Sequence, residues 1–451
     1  MDSVKTSESP PERQLSEAEI SRNFRSFLLI WAAQLVARVG NGLTAFGLGV
    51  WVYQETGRAT TVALITMVAF LPEVLLAPLG GALADRFDRR LLMILGDTLS
   101  AVGLLALVFA FETGHGSVLM ICLCVGFSSL FTSVMDPAYR ATVTDLLTPE
   151  QYARAGGLVQ FASASQYLIS PALAGILMKW FSITLILVID IATMTVTIVC
   201  MLLVWRTITS KKPLNERGIW EDLRFGVSFL GENRGITVLM LLVTFVTFCM
   251  GFLQTLLTPM LLDLSNEEVL GYVKSIAAIG MVVASLAIGL FNMGNRHITY
   301  MALGLAAAGT VVIFMGASVN VYIIGALAFL FFMTLPPLNT SVEVLARASV
   351  PNEMQGKVWG LMGLISQLGY IVAYAISGVL ADFVFNPLLM PDGVLAGNLG
   401  LLIGVGESRG IGLMLMIVGV LLIVLALVIN RVKSIRAMED NLIQKLNESK
   451  R

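Results

Sequence analysis

Three charges stand inside long apolar runs of this chain: Arg38, Glu73 and Asp190. A lone charge at the centre of a bilayer costs at least ~2.5–3.5 kcal/mol, so such groups mark ion pairs, water-filled cavities or ion pathways. A carboxyl there can exchange a proton, and a guanidinium can pair with it or with a solute. Glu73 lies about 18 Å along a helix from Asp85, and Arg38 reaches a similar depth from Arg25. Antiparallel neighbours would bring the two together near the midplane. Pro72 and Pro78 bracket Glu73 and free backbone carbonyls, as is tolerated beside cavities. Structural pairing, solute contact and proton coupling all remain open for Arg38–Glu73 and for Asp190.

A second concentration of charge is "GGALADRFDRRLLMILGD" at 80–97, where Asp85, Arg86, Asp88, Arg89 and Arg90 interrupt two apolar stretches. Asp97 follows about 10 Å beyond Arg90. Arg140 is placed to reach Asp85 or Asp97. Arginines alone could serve topology, but topology does not require the acids.

The elements that must hold these groups are membrane helices. The chain is 57% hydrophobic and 13% charged, against roughly 25% charged in soluble domains. Lipid is therefore the solvent for most of it. Windows of about 20 apolar residues fall near 25–53, 60–83, 91–111, 117–139, 154–178, 182–205, 236–262, 271–292, 298–317, 320–343, 358–383 and 409–430, predicting an all-α membrane protein of twelve spans. On one side the loops carry Arg86, Arg89, Arg90, Arg140, Arg154, six basic residues in 206–235, Arg296, Arg347 and Lys357. The other side is assigned Arg58, Lys179, Lys274 and Arg409. The basic side is predicted to be cytoplasmic, with both termini there. The polar first 23 residues hold no signal peptide.

The domains expected are a polar tail at 1–23, a six-helix bundle at 24–205, a cytoplasmic linker at 206–235, a second bundle at 236–430 and a tail at 431–451. Ile219, Trp220, Leu223, Val227 and Leu230 recur at helical steps, as do Val432, Ile435, Leu442 and Leu446, so linker and tail each read as amphipathic helices. "DLLTPEQYARAGGL" and "RASVPNEMQGKVWGL" echo one another 202 residues apart at Pro149 and Pro351. A weaker echo of the charge knot is "GNRHITY", with Arg296 beside Glu343 and Arg347. Such halves suit an alternating-access carrier.

Cys122, Cys124, Cys200 and Cys249 all fall in apolar runs, without metal or disulfide spacing. His115 and His297 read as solvated loop residues. No metal, cofactor or nucleic-acid site is expected, and neither a phosphate loop nor a nucleophile motif points to an enzyme.

The run Gly81-Ala-Leu83-Ala-Asp85-Arg86-Phe-Asp88-Arg89-Arg90 resembles the loop 2–3 signature of the major facilitator superfamily, with Asp88 where most members have glycine. "QLVARVGNGLTAFGLGVWVYQETG", "YRATVTDLLTPEQYARAGGL" and "AGNLGLLIGVGESRGIGL" resemble its macrolide-efflux and enterobactin-export branch. The resemblance implies two pseudo-symmetric six-helix bundles and a cytoplasmic gate built from Asp85, Arg86, Arg89, Arg90, Asp97 and Arg140, repeated weakly by Arg296, Glu343 and Arg347. Exporters of this superfamily often carry G-x8-G-x3-G-P-x2-G-G; this chain keeps Gly157, Pro171 and Gly175 but has Gln166, Ser170 and Ala174 elsewhere. Helices that line the family's cavity supply the solute-binding candidates Gln34, Arg38, Asn41, Thr44, Gln160, Tyr167, Thr247, Gln254, Gln367, Tyr370 and Tyr374. Sparse polar groups among Phe and Met suit an amphipathic, partly apolar solute.

The leading expectation is a monomeric, proton-coupled exporter of amphipathic small molecules such as macrolide-like drugs or siderophores, with Glu73 and Asp190 as coupling candidates. A lysophospholipid flippase of the same fold is the alternative. A non-transporting receptor or scaffold would add a sizeable output domain, and no loop here exceeds about 30 residues.

Overall fold

A computed structural model describes residues 16–205, 228–291, 294–351 and 354–448. The expected linker helix falls largely outside them, and so do the side chains of Asp85, Lys357 and Leu446. All regular structure among the described residues is helical. Seven helices precede the linker: α1 (Glu17–Thr56), α2 (Ala59–Arg86), α3 (Arg89–Glu112), α4 (Val118–Leu146), α5 (Tyr152–Leu168), α6 (Ser170–Trp180) and α7 (Ile183–Val204). After it come α8 (Arg234–Leu264), α9 (Glu267–Leu290), α10 (His297–Ala317), α11 (Val321–Ser349), α12 (Gln355–Leu380), α13 (Glu407–Ile429) and α14 (Lys433–Glu448). Twelve spans are long and apolar enough to cross a membrane, as the windows predicted. The fifth joins α5 to α6 across a break at Ile169, just before Pro171, because proline cannot donate to the helical ladder.

Local chemistry explains the ends. Ser16 and Glu19 form a reciprocal capping box at the start of α1. Gly57 closes α1 at φ 61°, a conformation glycine adopts without a Cβ penalty. Asp88, which stands where the resembled signature has glycine, is the N-cap of α3. Its carboxylate accepts from the Arg90 N–H at 3.0 Å, and the hydrogen-bonded Arg90 guanidinium holds its pKa below the ordinary value.

The first and last described residues lie at one face of the bundle, the terminal face; the other is the distal face. The tail is not free. Ile435 and Met438 of α14 are buried and Leu442 packs against the core. Glu439 accepts from the Ile298 N–H at the start of α10 at 2.8 Å. His297, read as a solvated loop residue, is buried beside this cap. Lys274 and Arg409, assigned to loops, are helical. Arg409 is 2% exposed and donates to the carbonyls of Ile403 and Ser318 at 3.2 and 3.1 Å. Lys274 lies two turns into α9 and inside its own apolar window, and Arg409 stands at the first residue of its window, so neither belonged with the loops.

Close helix contacts use small residues, as lipid-embedded interfaces do. A Cβ on Gly316 would sit 2.3 Å from the Gly412 carbonyl, and one on Gly309 would sit 2.4 Å from that of Gly419. Gly316→Ala is therefore expected to lower the unfolding midpoint in detergent, at about 1–3 kcal/mol of overpacking. Gly304→Ala, whose Cβ would find its nearest neighbour at 3.5 Å, should leave the midpoint in place.

Candidate functional site

The two sets of helices meet at the distal face and part toward the terminal one. At the distal end of α12, Asp382 accepts from the Ala59 and Thr60 N–H groups at 3.0 and 2.8 Å and from the Thr60 hydroxyl at 2.6 Å. The carboxylate thus caps α2 from across the interface, where helix N-termini favour anions. Gly378, one turn earlier, lets the backbones touch: a Cβ there would lie 2.5 Å from Thr60 Cα. Tyr53 donates to Asp263 at 2.5 Å, and Lys179 pairs with Glu268 at 2.6 Å. On α5–α6 the Ala172 N–H donates to Ser275 at 3.1 Å. Every contact just named between the two sets lies at the distal face, while Glu73 and Tyr167 stay exposed beneath it, so the space between the sets is a cavity open toward the terminal face.

Its ceiling is aromatic. Phe70 of α2 packs edge-on against Tyr370 and Tyr374 of α12, with ring centres at 5.7 and 5.6 Å. Tyr374 donates to Gln254 of α8 at 2.5 Å, which fixes its ring. Glu73 follows Phe70 by one turn, so both project from the same side of α2. The Glu73 side chain is exposed, yet it lies within Coulombic reach of Arg38, Asp136 and Arg140 and of the Tyr167 and Tyr374 hydroxyls. Exposure among so many neighbours is that of a cavity wall. Tyr167, 60% exposed, faces the same space.

The pairings differ from those expected. Arg38 bonds Asp136 of α4 at 2.5 Å, not Glu73. Arg140 bonds Asp136 at 2.9 Å, not Asp97; its expected reach to Asp85 falls on a side chain outside the described residues. Sequence reasoning passed over Asp136, although its four-residue spacing from Arg140 is a usable signal. By accepting both arginines Asp136 leaves the Glu73 carboxylate without a direct partner among the described residues. The Arg38 and Asp136 side chains are 20% and 29% exposed, so the about 3–5 kcal/mol cost of breaking a fully buried ion pair is an upper bound here. Asp136→Asn should therefore lower thermal stability sharply, whereas Arg38→Met combined with Asp136→Leu should regain much of it.

Asp97 and Asp190 lie away from the cavity, enclosed between α1, α3 and α7. Asp190 is 1% exposed and accepts from Thr44 at 2.6 Å; Asp97 accepts from Thr197. Asp97 thus bonds no arginine, because two turns of α3 carry it away from the charge knot. Gln34 is buried and donates to the Met135 sulfur, and Thr247 donates to the Ser366 carbonyl at 2.6 Å. Gln34 and Thr44 therefore serve packing inside the first set of helices. Asn41 and Gln367 are half-buried and Gln160 is exposed.

At the terminal face Arg89 bonds Asp145 at 2.5 Å and the Ala84 carbonyl at 3.1 Å. Arg90 bonds Asp88 at 2.5 Å, donates to the Trp205 carbonyl at 2.8 Å and stacks on that indole. Arg86 is exposed. Glu343 and Arg347 pair along α11 at 2.5 Å; among the described residues the Arg296 side chain joins no ion pair. Each of these contacts lies within one set of helices.

The family model described as Major Facilitator Superfamily matches residues 30–374. Macrolide efflux protein A of Streptococcus pyogenes is 25% identical over 367 residues, covering 79% of this chain and 89% of that protein. The multidrug efflux pump Tap of Mycolicibacterium fortuitum is 26% identical over 384 residues, with the same coverage. The lysophospholipid transporter LplT of Yersinia pestis is 23% identical over 283 residues, covering 59% and 65%. Among solved structures, a bacterial homologue of the lysosomal transporter Spinster, described as inward-facing and unoccupied, superposes with a TM-score of 0.68 at 15% identity, covering 95% of this chain and 99% of that one. A mutant of the nucleoside transporter NupG gives 0.71 at 12% identity, covering 90% and 99%.

Proposed function

We propose, from the premise that this chain belongs to the Major Facilitator Superfamily, that it is a proton-coupled exporter of amphipathic small molecules. The transporter class follows from the family. The export direction is supported by relatives named for macrolide and multidrug efflux. The observation that carries the solute class is the cavity wall: Glu73 beneath the rings of Phe70, Tyr370 and Tyr374, with Tyr167 facing the same space. A carboxylate among aromatic faces suits a protonated amine on an apolar body. On this reading the terminal face is cytoplasmic, the bundles are 24–205 and 236–430, and the described state is the one that loads solute from inside.

Coupling is proposed to run through Glu73. Proton and ammonium compete for one carboxylate, so loading on one side releases a proton and reprotonation on the other releases the solute. Asp136 supports this by occupying Arg38 and Arg140. The test is flux in proteoliposomes with an imposed pH gradient. A gradient-driven uphill accumulation of amphipathic amines is expected; amine movement indifferent to the gradient would overturn the coupling, and no amine movement at all would overturn the exporter reading.

LplT among the relatives and the apolar cavity walls favour lysophospholipid translocation as a second reading. Its signature would be headgroup-dependent flux of a labelled lysophospholipid in the same vesicles.

A further inference from the structure

Lys274 lies seven residues into α9, about 10 Å below the distal end of the span. It is half-buried and donates to the Thr258 hydroxyl of α8 at 2.7 Å. Its ammonium stands 5.6 Å from the ring centre of Phe46, on α1 across the interface. Its neighbours Gly271 and Ser275 press on Pro171 and Ala172 of α6. This side of α9 therefore faces the seam that must part for solute to leave distally. Among the described residues no acid pairs with Lys274: Asp263 accepts from Tyr53, Glu268 from Lys179, and Glu73 stands on α2 within reach of Arg38, Asp136 and Arg140. An ammonium held inside the membrane by one hydroxyl and one aromatic face is costly and marks a functional position.

Resting on the exporter reading, we propose that Lys274 is the binding site for an acidic group of the solute, a carboxylate or phosphate ester. The preferred solutes then carry an amine for the Glu73 wall and an acid for Lys274. The Phe46 contact is the part that opening of the seam removes, which bares the ammonium toward the exit path. Thr258 belongs to the same set of helices as Lys274 and stays beside it as a second donor.

The test uses the full-length protein in proteoliposomes with three probes: rhodamine 6G, the free carboxylic acid obtained by hydrolysing its ester, and a fluorescent lysophospholipid. Wild-type protein should transport the acid with lower KM than the ester. Lys274→Gln should raise the KM of the acid about tenfold while leaving that of the ester in place, and Lys274→Arg should restore the preference. Lysophospholipid flux that falls alongside the acid would identify the phosphate as one source of the acidic group; lysophospholipid flux that stays would confine the site to free solutes. Equal loss for acid and ester in Lys274→Gln, or no change for either, overturns the proposal. If the wild-type protein moves no rhodamine 6G, the exporter reading fails instead.

Discussion

Glu73→Gln is expected to abolish pH-driven accumulation of an amphipathic amine while downhill exchange continues. With one proton exchanged per solute, a gradient of one pH unit supplies about 1.4 kcal/mol, enough for roughly a tenfold concentration ratio. The variant should hold a ratio near one. The glutamine keeps the shape of the cavity wall, so exchange through the Phe70–Tyr370–Tyr374 ceiling should persist with weakened affinity for the amine. Counterflow and gradient-driven uptake in one vesicle preparation separate the two effects. If Glu73→Gln accumulates solute normally and Asp190→Asn does not, coupling belongs to the enclosed carboxylate beside Thr44, and Glu73 only shapes the wall. If both variants keep pH-dependent transport, neither carboxyl carries the proton.

Asp382→Ala should weaken the distal seal more than any other single side-chain change there. The variant removes an anionic acceptor from two backbone N–H groups and one hydroxyl of α2. Hydrogen bonds to charged groups contribute about 1.5–3 kcal/mol each, and water recovers part of that. A net loss of about 3 kcal/mol would shift the balance between sealed and unsealed distal faces roughly 150-fold. The measurement is labelling of Phe70→Cys by a membrane-impermeant thiol reagent added from the distal side, in a background lacking Cys122, Cys124, Cys200 and Cys249. Labelling should rise steeply and net transport should fall. Unchanged labelling would place the seal in Tyr53–Asp263 and Lys179–Glu268 and leave Asp382 a local cap.

Hydropathy made the twelve spans legible because about 20 consecutive apolar residues have one use in a membrane. The break before Pro171 was legible for the same kind of reason, since the missing N–H is written in the residue type. The partner of Arg38 was not. Depth arguments place residues along a helix axis but say little about azimuth, and α2 and α4 both offer an acid near the level of Arg38. Asp136 wins because α4 turns it toward α1, while α2 turns Glu73 to the cavity beside Phe70. Asp382 was passed over because it stands one residue from the end of the window 358–383, where an acid near a span end draws no attention. Lys274 was counted with the loop cations although the window 271–292 already contained it, and the helix continues two turns further to Glu267. Asp190 stood out as a deep acid and Asp97 was read as a gate residue, but the packing of α1, α3 and α7 encloses both beside threonines.

The cap on α10 has a consequence for how the chain is made. The carboxylate that accepts from the Ile298 N–H belongs to Glu439, 141 residues later. At about 5–20 residues per second, synthesis leaves that first turn uncapped for roughly 7–28 s, a window in which span nine is already emerging. Its terminal-face end must be held meanwhile by water or lipid headgroups. Only when the last helix leaves the ribosome can Ile435 and Met438 dock and the cap close. The cap on the ninth span therefore closes only after all twelve spans have been made, and synthesis that stops short of Glu439 leaves the first turn of α10 uncapped.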